Sequence, residues 1–272
     1  MPSPTEITVS QLSRLVGLPQ CPTIVDVRTD QDFEADPRLL PGAIRRPALD
    51  PAQWAQSLAA KPAVVVCQRG AKLSQGAAAW LRHAGIATET LEGGFEAWKA
   101  DKQPLVRTEK LPKRDAQGRT VWVTRARPKI DRVACPWLIR RFVDPNAVFL
   151  FVGASEVQAV AERFSATPFD IDGVFWSHRG ETCTFDTMVD EFGLDIPALR
   201  RVAAIVRGAD TARLDLAPEA AGLLSVSLGL SRMYRDDLEQ LAAAMTVYDS
   251  LYRWARDATD ETHNWPTSQP AR

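Results

Sequence analysis

Residues 63–80 read AVVVCQRGAKLSQGAAAW: an apolar run, a cysteine, a polar turn containing Gly70, and an alanine-rich segment. Val64, Val65 and Val66 are apolar without alternation, the pattern of a strand buried on both faces. The alanine-rich segment that follows, from about Ser74, has helical composition. The same strand-then-helix order surrounds it: TIVDVR (23–28) and TETL (88–91) read as strands, DPAQWAQSLA (50–59) as a helix. Such alternation predicts an α/β domain, a parallel sheet with helices on both faces. Cys67 then lies at the carboxyl end of a central strand, where open α/β sheets place their ligand sites.

The segment Cys67-Gln68-Arg69-Gly70-Ala71-Lys72 has the chemistry of an anion cradle. Gly70 allows positive φ, so the backbone can curl and turn several N–H groups toward one centre. The positive end of the following helix, with Arg69 and Lys72, favours thiolate over thiol at Cys67. His83 falls well along that helix, a poor place for a Cys–His couple. The plain alternative is a buried strand-end cysteine followed by an ordinary turn.

Three further stretches decide between these. IVDVR (24–28), LPGAIRRP (40–47) and LEGGFEAW (91–98), together with the C-x-x-G-x-K loop, stand in the order and spacing of the rhodanese-like sulfurtransferases, which this half resembles. The resemblance implies that Cys67 takes sulfane sulfur as a persulfide, that Gln68, Arg69, Gly70, Ala71 and Lys72 bind the substrate, and that sulfur transfer requires no cofactor. The implied partners are a small anionic sulfur donor and a thiophilic acceptor. Lys72 stands where many relatives have arginine, and Leu73 where serine is usual; a lysine offers a point charge rather than a bidentate fork. Asp26 and Arg28 read as a fold-forming internal ion pair.

The 272 residues are 45% hydrophobic and 25% charged with a formal net charge of −1, values of an ordinary globular protein of about two domains. Cys21, Cys67, Cys135 and Cys183 show no C-x-x-C spacing, so neither a disulfide framework nor a zinc ribbon is indicated. The N-terminal MPSPTEITVSQL has no secretory pattern, and no apolar stretch approaches the roughly 20 residues that span a bilayer, so a cytoplasmic location without membrane contact is expected. The polar stretch KADKQPLVRTEKLPKRDAQGRT (99–120) carries no apolar period. The expected organisation is therefore a first domain over 5–105, a linker over 106–119, a second domain over 120–258 and a flexible tail over 259–272.

In the second domain TVWVTRA (120–126) and AVFLFV (147–152) read as strands, SEVQAVAERFSA (155–166) as an amphipathic helix and FDIDGVFWSHRG (169–180) as two short strands or a hairpin. From about Phe185 the spacing is helical, with Pro218 at a first helical position and a capping box at Asp236 and Glu239. The expectation is an α+β domain, a mixed sheet and a helix cluster, mostly helical toward the C-terminus. DRVACPWLIRRFVD (131–144), HRGETCTFDTMVDEFGL (178–194), IVRGAD (205–210) and YDSLYRWA (248–255) make this half similar to the C-terminal domain of the chromate-resistance protein B family, which is linked with chromate resistance and its regulation.

Residue chemistry adds candidates there. Arg125, Arg127, Lys129, Arg132, Arg140 and Arg141 crowd one region, and Pro136 suits a first helical turn, so Cys135 would sit at a positive helix end beside Arg132 with a lowered pKa, ready for an oxyanion such as chromate. His178, Glu181 and Cys183 are metal ligands by type, candidates for a divalent ion. Asp131, Arg132, Cys135, His178, Glu181 and Cys183 are expected to converge on one pocket. Met245, Tyr248, Tyr252 and Trp254 read as core and interface. Two rivals to a sulfurtransferase remain: a chromate- or metal-responsive regulator with the first half as redox reporter, and a thiol-based oxyanion reductase whose resolving thiol would be Cys21 or Cys135. No helix-turn-helix with base-reading residues appears, and nothing recommends nucleic acid as a partner.

Overall fold

The computed structural model describes residues 5–58 and 61–261. The tail expected over 259–272 lies, from residue 262, outside the described residues.

The first half runs β1 (Glu6–Ile7), α1 (Val9–Leu15), β2 (Thr23–Asp26), α2 (Asp30–Ala35), β3 (Arg38–Leu39), β4 (Ile44–Arg45), α3 (Pro51–Ala55), β5 (Ala63–Val66), α4 (Lys72–His83), β6 (Thr88–Leu91) and α5 (Gly94–Ala100). Five strands form one sheet in the order β1-β6-β5-β2-β4, every pairing parallel. The apolar run of β5 is explained by its central place: Val64 and Val66 join the cluster on one face, Ala63, Val65 and Cys67 the cluster on the other. Asp26 and Arg28 pair at 2.7 Å with side chains almost wholly buried. Arg28 also donates to the carbonyls of Asp36 and Arg38 and lies over the Phe95 ring at 3.8 Å. One guanidinium thus ties the β2 end to α2, β3 and α5.

Between the halves, β7 (Val106–Arg107) pairs antiparallel with β3, and Arg107 N–H donates to Phe192 O at 3.0 Å. Farther along, Arg114 reaches the buried Asp144 at 3.2 Å. The polar link is therefore bound along its length to both halves.

The second half runs β8 (Val121–Arg125), α6 (Asp131–Leu138) with a π turn over Ile139–Val143, β9 (Val148–Val152), α7 (Val157–Phe164), β10 (Thr167–Pro168), α8 (Thr184–Glu191), α9 (Pro197–Asp210), α10 (Ala220–Met233) and α11 (Asp237–Asp257). The sheet, in the order β10-β8-β9, is wholly parallel rather than mixed, because helices α6 and α7 make the crossovers between its strands. The expected hairpin over 169–180 is absent: the segment holds turns and isolated bridges, Phe169 to Trp176 within it and Arg179 to Thr182 at its end, with Asp170 and Gly173 at positive φ. Pro218 precedes α10 by two residues, whereas Asp236 caps α11 by accepting from the N–H groups of Leu238 and Glu239.

Pro136 is not at a helix start. The helix begins five residues earlier at Asp131, and Pro136 sits in its interior, where it removes an internal donor; the π turn follows directly. The larger hydrophobic cluster runs unbroken from Leu12, Phe95 and Trp98 into Trp122, Trp137, Phe142, Tyr248 and Tyr252, with Met245 and Trp254 packed against it. Gly17, at φ +80°, fits between the halves: a β-carbon there would meet Phe142 at 2.4 Å and Tyr252 at 2.8 Å. Gly42 N–H donates to Phe142 O at 2.6 Å. No helix among the described residues is long and apolar enough to cross a membrane.

Candidate functional site

Cys67 leaves the end of β5 and the chain turns through Gly70 at φ +67° into α4. The turn is tight because two glycines pack backbone to backbone. A β-carbon on Gly70 would meet Leu91 O at 2.7 Å and the nitrogens of Gly93 and Gly94 within 2.9 Å; one on Gly94 would meet Cys67 O at 2.3 Å. Phe95 N–H and Glu96 N–H donate to the carbonyls of Cys67 and Gln68, both at 3.0 Å. The LEGG stretch is thus the back wall of the cysteine loop.

Ala71 N–H donates to Cys67 Sγ at 3.3 Å, and Ser74 Oγ lies 3.2 Å from it. Burial works against the thiolate here, but hydrogen bonds from the Ser74 hydroxyl and from the N–H groups of Ser74, Arg69 and Ala71 outweigh it and lower the Cys67 pKa. Ser74 is the residue that sequence reasoning missed: α4 starts at Lys72, two residues before the expected start, so Ser74 lies in its first turn facing the sulfur. A serine is present after all, one position beyond the place where the resemblance led one to expect it. A cavity of about 330 Å³ opens on the cysteine, lined by Asp32, Gln68, Arg69, Ala71, Lys72, Leu73 and Glu96. Arg69 and Lys72 are exposed, their charges free to meet an anion at the mouth.

Cys21 packs against the cluster on the other face of the sheet, where burial pushes its thiol up to about 11, and Cys135 belongs to that same cluster. All four cysteines are free. Neither candidate resolving thiol therefore stands on the Cys67 side of the sheet.

In the second half, His178 Nε2 stands among three carboxylates: 3.4 Å from Asp131 Oδ2, 3.4 Å from Asp170 Oδ1 and 3.2 Å from Asp210 Oδ2. Asp131 opens α6, is fully buried and accepts from the N–H groups of Thr184 and Phe185 at the start of α8. Asp170 accepts from Thr184 Oγ1 at 2.8 Å, with Arg132 Nε 3.3 Å from its other oxygen. Asp210 closes α9. Hydrogen bonds to Asp131 and Asp170 raise the imidazole pKa to about 10. Burial raises the carboxyl pKa of Asp131 and of Asp210, and the neighbouring carboxylates add to it.

Of the six residues expected to converge, Asp131 and His178 meet directly, and Arg132 joins them through Asp170. Cys183 touches Asp131 and donates to Asp186 Oδ2 at 3.3 Å, and Cys135 lies within electrostatic reach of the same carboxylates. Both thiols have raised pKa values, first through burial and then through those carboxylates. This reverses the lowered pKa expected for Cys135, which sits in the second turn of α6 rather than at its start. Glu181 is exposed, and the charge it acts on is Arg213, so it falls outside the cluster. Among the described residues, the donor atoms close enough to share an ion come from Asp131, Asp170 and His178, all within 4.8 Å of one another. Five of the six basic residues are turned to other partners. Arg141 is bound to Asp249, Arg127 to the carbonyls ending α10, Arg140 lies over Phe149, and Arg125 and Arg132 turn to Asp170. Three carboxylates around His178 give the wrong charge for an oxyanion.

Comparison with known proteins agrees with this division. Residues 8–101 match the family model of the rhodanese-like domain, and residues 122–255 that of the ChrB C-terminal domain. The chain joins a rhodanese-like domain to a ChrB C-terminal domain. Over 146 residues, 52% of the chain, it is 37% identical to protein ChrB of Cupriavidus metallidurans, and it spans 43% of that protein's length. Similar solved structures include a rhodanese-related protein from Thermoplasma volcanium, 22% identical, covering 37% of this chain and 96% of its own, with a TM-score of 0.33. Another is a rhodanese-like domain protein from Staphylococcus aureus, 27% identical, covering 35% of this chain and 90% of its own, with a TM-score of 0.32.

Proposed function

We propose that the rhodanese-like domain is a sulfurtransferase working through a Cys67 persulfide, in a chromate-resistance-related protein. What carries this reading is the ring of donors around one sulfur: the Ala71 N–H and the Ser74 hydroxyl, backed by the N–H of Arg69, at the floor of an open cavity rimmed by Arg69 and Lys72. With thiosulfate as donor, the Cys67 thiolate attacks the outer sulfur, the S–S bond breaks and sulfite leaves. The persulfide carries its negative charge on the outer sulfur, where inward donors hold it without a proton. A thiophilic acceptor then attacks that sulfur and Cys67 leaves as thiolate; with cyanide the product is thiocyanate. No electron is gained or lost by the protein over the cycle, and no cofactor enters.

The pairing with a ChrB C-terminal domain supports a role in the cellular response to chromate, with the sulfur acceptor inside the cytoplasm. The test is thiocyanate formation from thiosulfate and cyanide, joined to intact-mass measurement after thiosulfate alone. The expected result is an adduct of one sulfur atom mapped to Cys67, with activity abolished in Cys67→Ser and nearly intact in Cys21→Ser. Comparable turnover by Cys67→Ser would remove the assignment.

A further inference from the structure

We propose that Asp131, Asp170 and His178 form a site for a divalent cation of the Mn²⁺ or Fe²⁺ type in the ChrB C-terminal domain. The site stands apart from Cys67 and does not depend on sulfur transfer.

The donors come from three separate places: the first residue of α6, the segment after β10 and the loop before α8. All three donors lie within 4.8 Å of one another, and the Asp131 and Asp170 oxygens each lie 3.4 Å from His178 Nε2. Those separations approximate the edge, about 3 Å, of an octahedron whose metal–ligand bonds are about 2.1 Å. Two carboxylates with one imidazole are a donor set for a hard to borderline divalent metal. The nearby thiols do not compete, since Cys183 is engaged with Asp186 and Asp131 and Cys135 is enclosed in the core.

The set is more than an acidic cluster. His178 has 40% of its side chain exposed, yet its nitrogen is aimed inward at the buried oxygens of Asp131 and Asp170. The outer partners that orient ligands at metal centres are also present. Asp131 is held by the Thr184 and Phe185 N–H groups, and Asp170 by Thr184 Oγ1 and Arg132. A further polar group has its capacity unspent: Thr124, wholly buried, has no partner for Oγ1. It shares the inward face of β8 with Trp122 and precedes Arg125, which reaches Asp170. Asp210, the last residue of α9, stands 3.2 Å from the same nitrogen and adds a negative charge beside the site.

The experiment is titration of the full chain, stripped by chelator, with Mn²⁺ alone, following the electron paramagnetic resonance signal of the free ion. The expected result is loss of one equivalent of free Mn²⁺ per chain, with a rise in Tm. Asp170→Asn and His178→Ala should each weaken binding by at least about tenfold. Asp170→Asn keeps an acceptor for Thr184 Oγ1, and circular dichroism of both variants before titration separates lost binding from lost fold. An undiminished free-ion signal with the unsubstituted chain, or binding by both folded variants equal to that of the unsubstituted chain, would overturn the proposal and leave the cluster as a salt-bridge network.

Discussion

At the scale of single residues, the chemistry of the first half turns on Ser74 and Cys67. Because the Cys67 pKa is lowered, its thiolate is present above that lowered value and disappears only as pH falls through it. The iodoacetamide reaction of Cys67 should therefore show a pH midpoint below that of an ordinary cysteine. Ser74→Ala removes a hydrogen bond that favours the charged sulfur and should raise the midpoint, reducing the thiolate fraction near neutral pH by about five- to tenfold. An unmoved midpoint would mean that the backbone N–H groups suffice. Cys67 was legible in the sequence because strand, turn and helix signals lie within a few residues of it. Ser74 was not, because one turn of helix start decides which residue faces the sulfur. Asp170 and Asp210 were harder still: they join His178 only through the fold. One signal did exist for Asp210, an acidic residue at the C-terminal end of a predicted helix, where the dipole disfavours it.

At the scale of elements, the glycine pair and the buried ion pair each hold several segments at once. Gly94→Ala would drive a β-carbon into the Cys67 carbonyl at 2.3 Å, at a residue with φ +62°, so no rotamer relieves it. We expect a loss of about 2–4 kcal/mol in urea unfolding together with loss of sulfur transfer, since the back wall of the loop moves. Retained activity at reduced stability would show that the loop tolerates the shift. Asp26→Asn strands the buried Arg28 charge and should cost about 3–5 kcal/mol by the same measurement, far more than any exposed pair. The parallel sheet of the first half was readable from apolar runs alone. In the second half the short β10 and the segment 169–180 defeated the period rules, because two paired residues and a bridge leave too few side chains to show alternation.

At the scale of the whole molecule, one hydrophobic cluster serves both halves. Thermal unfolding followed by tryptophan fluorescence and by far-ultraviolet circular dichroism should therefore give a single coincident transition. Phe142→Ala should lower the stability of both halves together by about 3–5 kcal/mol, read by hydrogen exchange at β5 and at α9. Two separable transitions in the unsubstituted chain would refute the shared core. Composition indicated two domains and a polar link between them, but not that Phe142 would reach across to Gly17 and Gly42, a contact that no local pattern announces. That notch bears on inheritance. A rhodanese-like domain brought in from elsewhere would meet Phe142 and Tyr252 with whatever residue it carried opposite them, and any side chain larger than a hydrogen atom at position 17 would collide. Recombination at the link cannot freely exchange these halves, so they are expected to descend as a pair, with Gly17 travelling beside an aromatic residue at position 142.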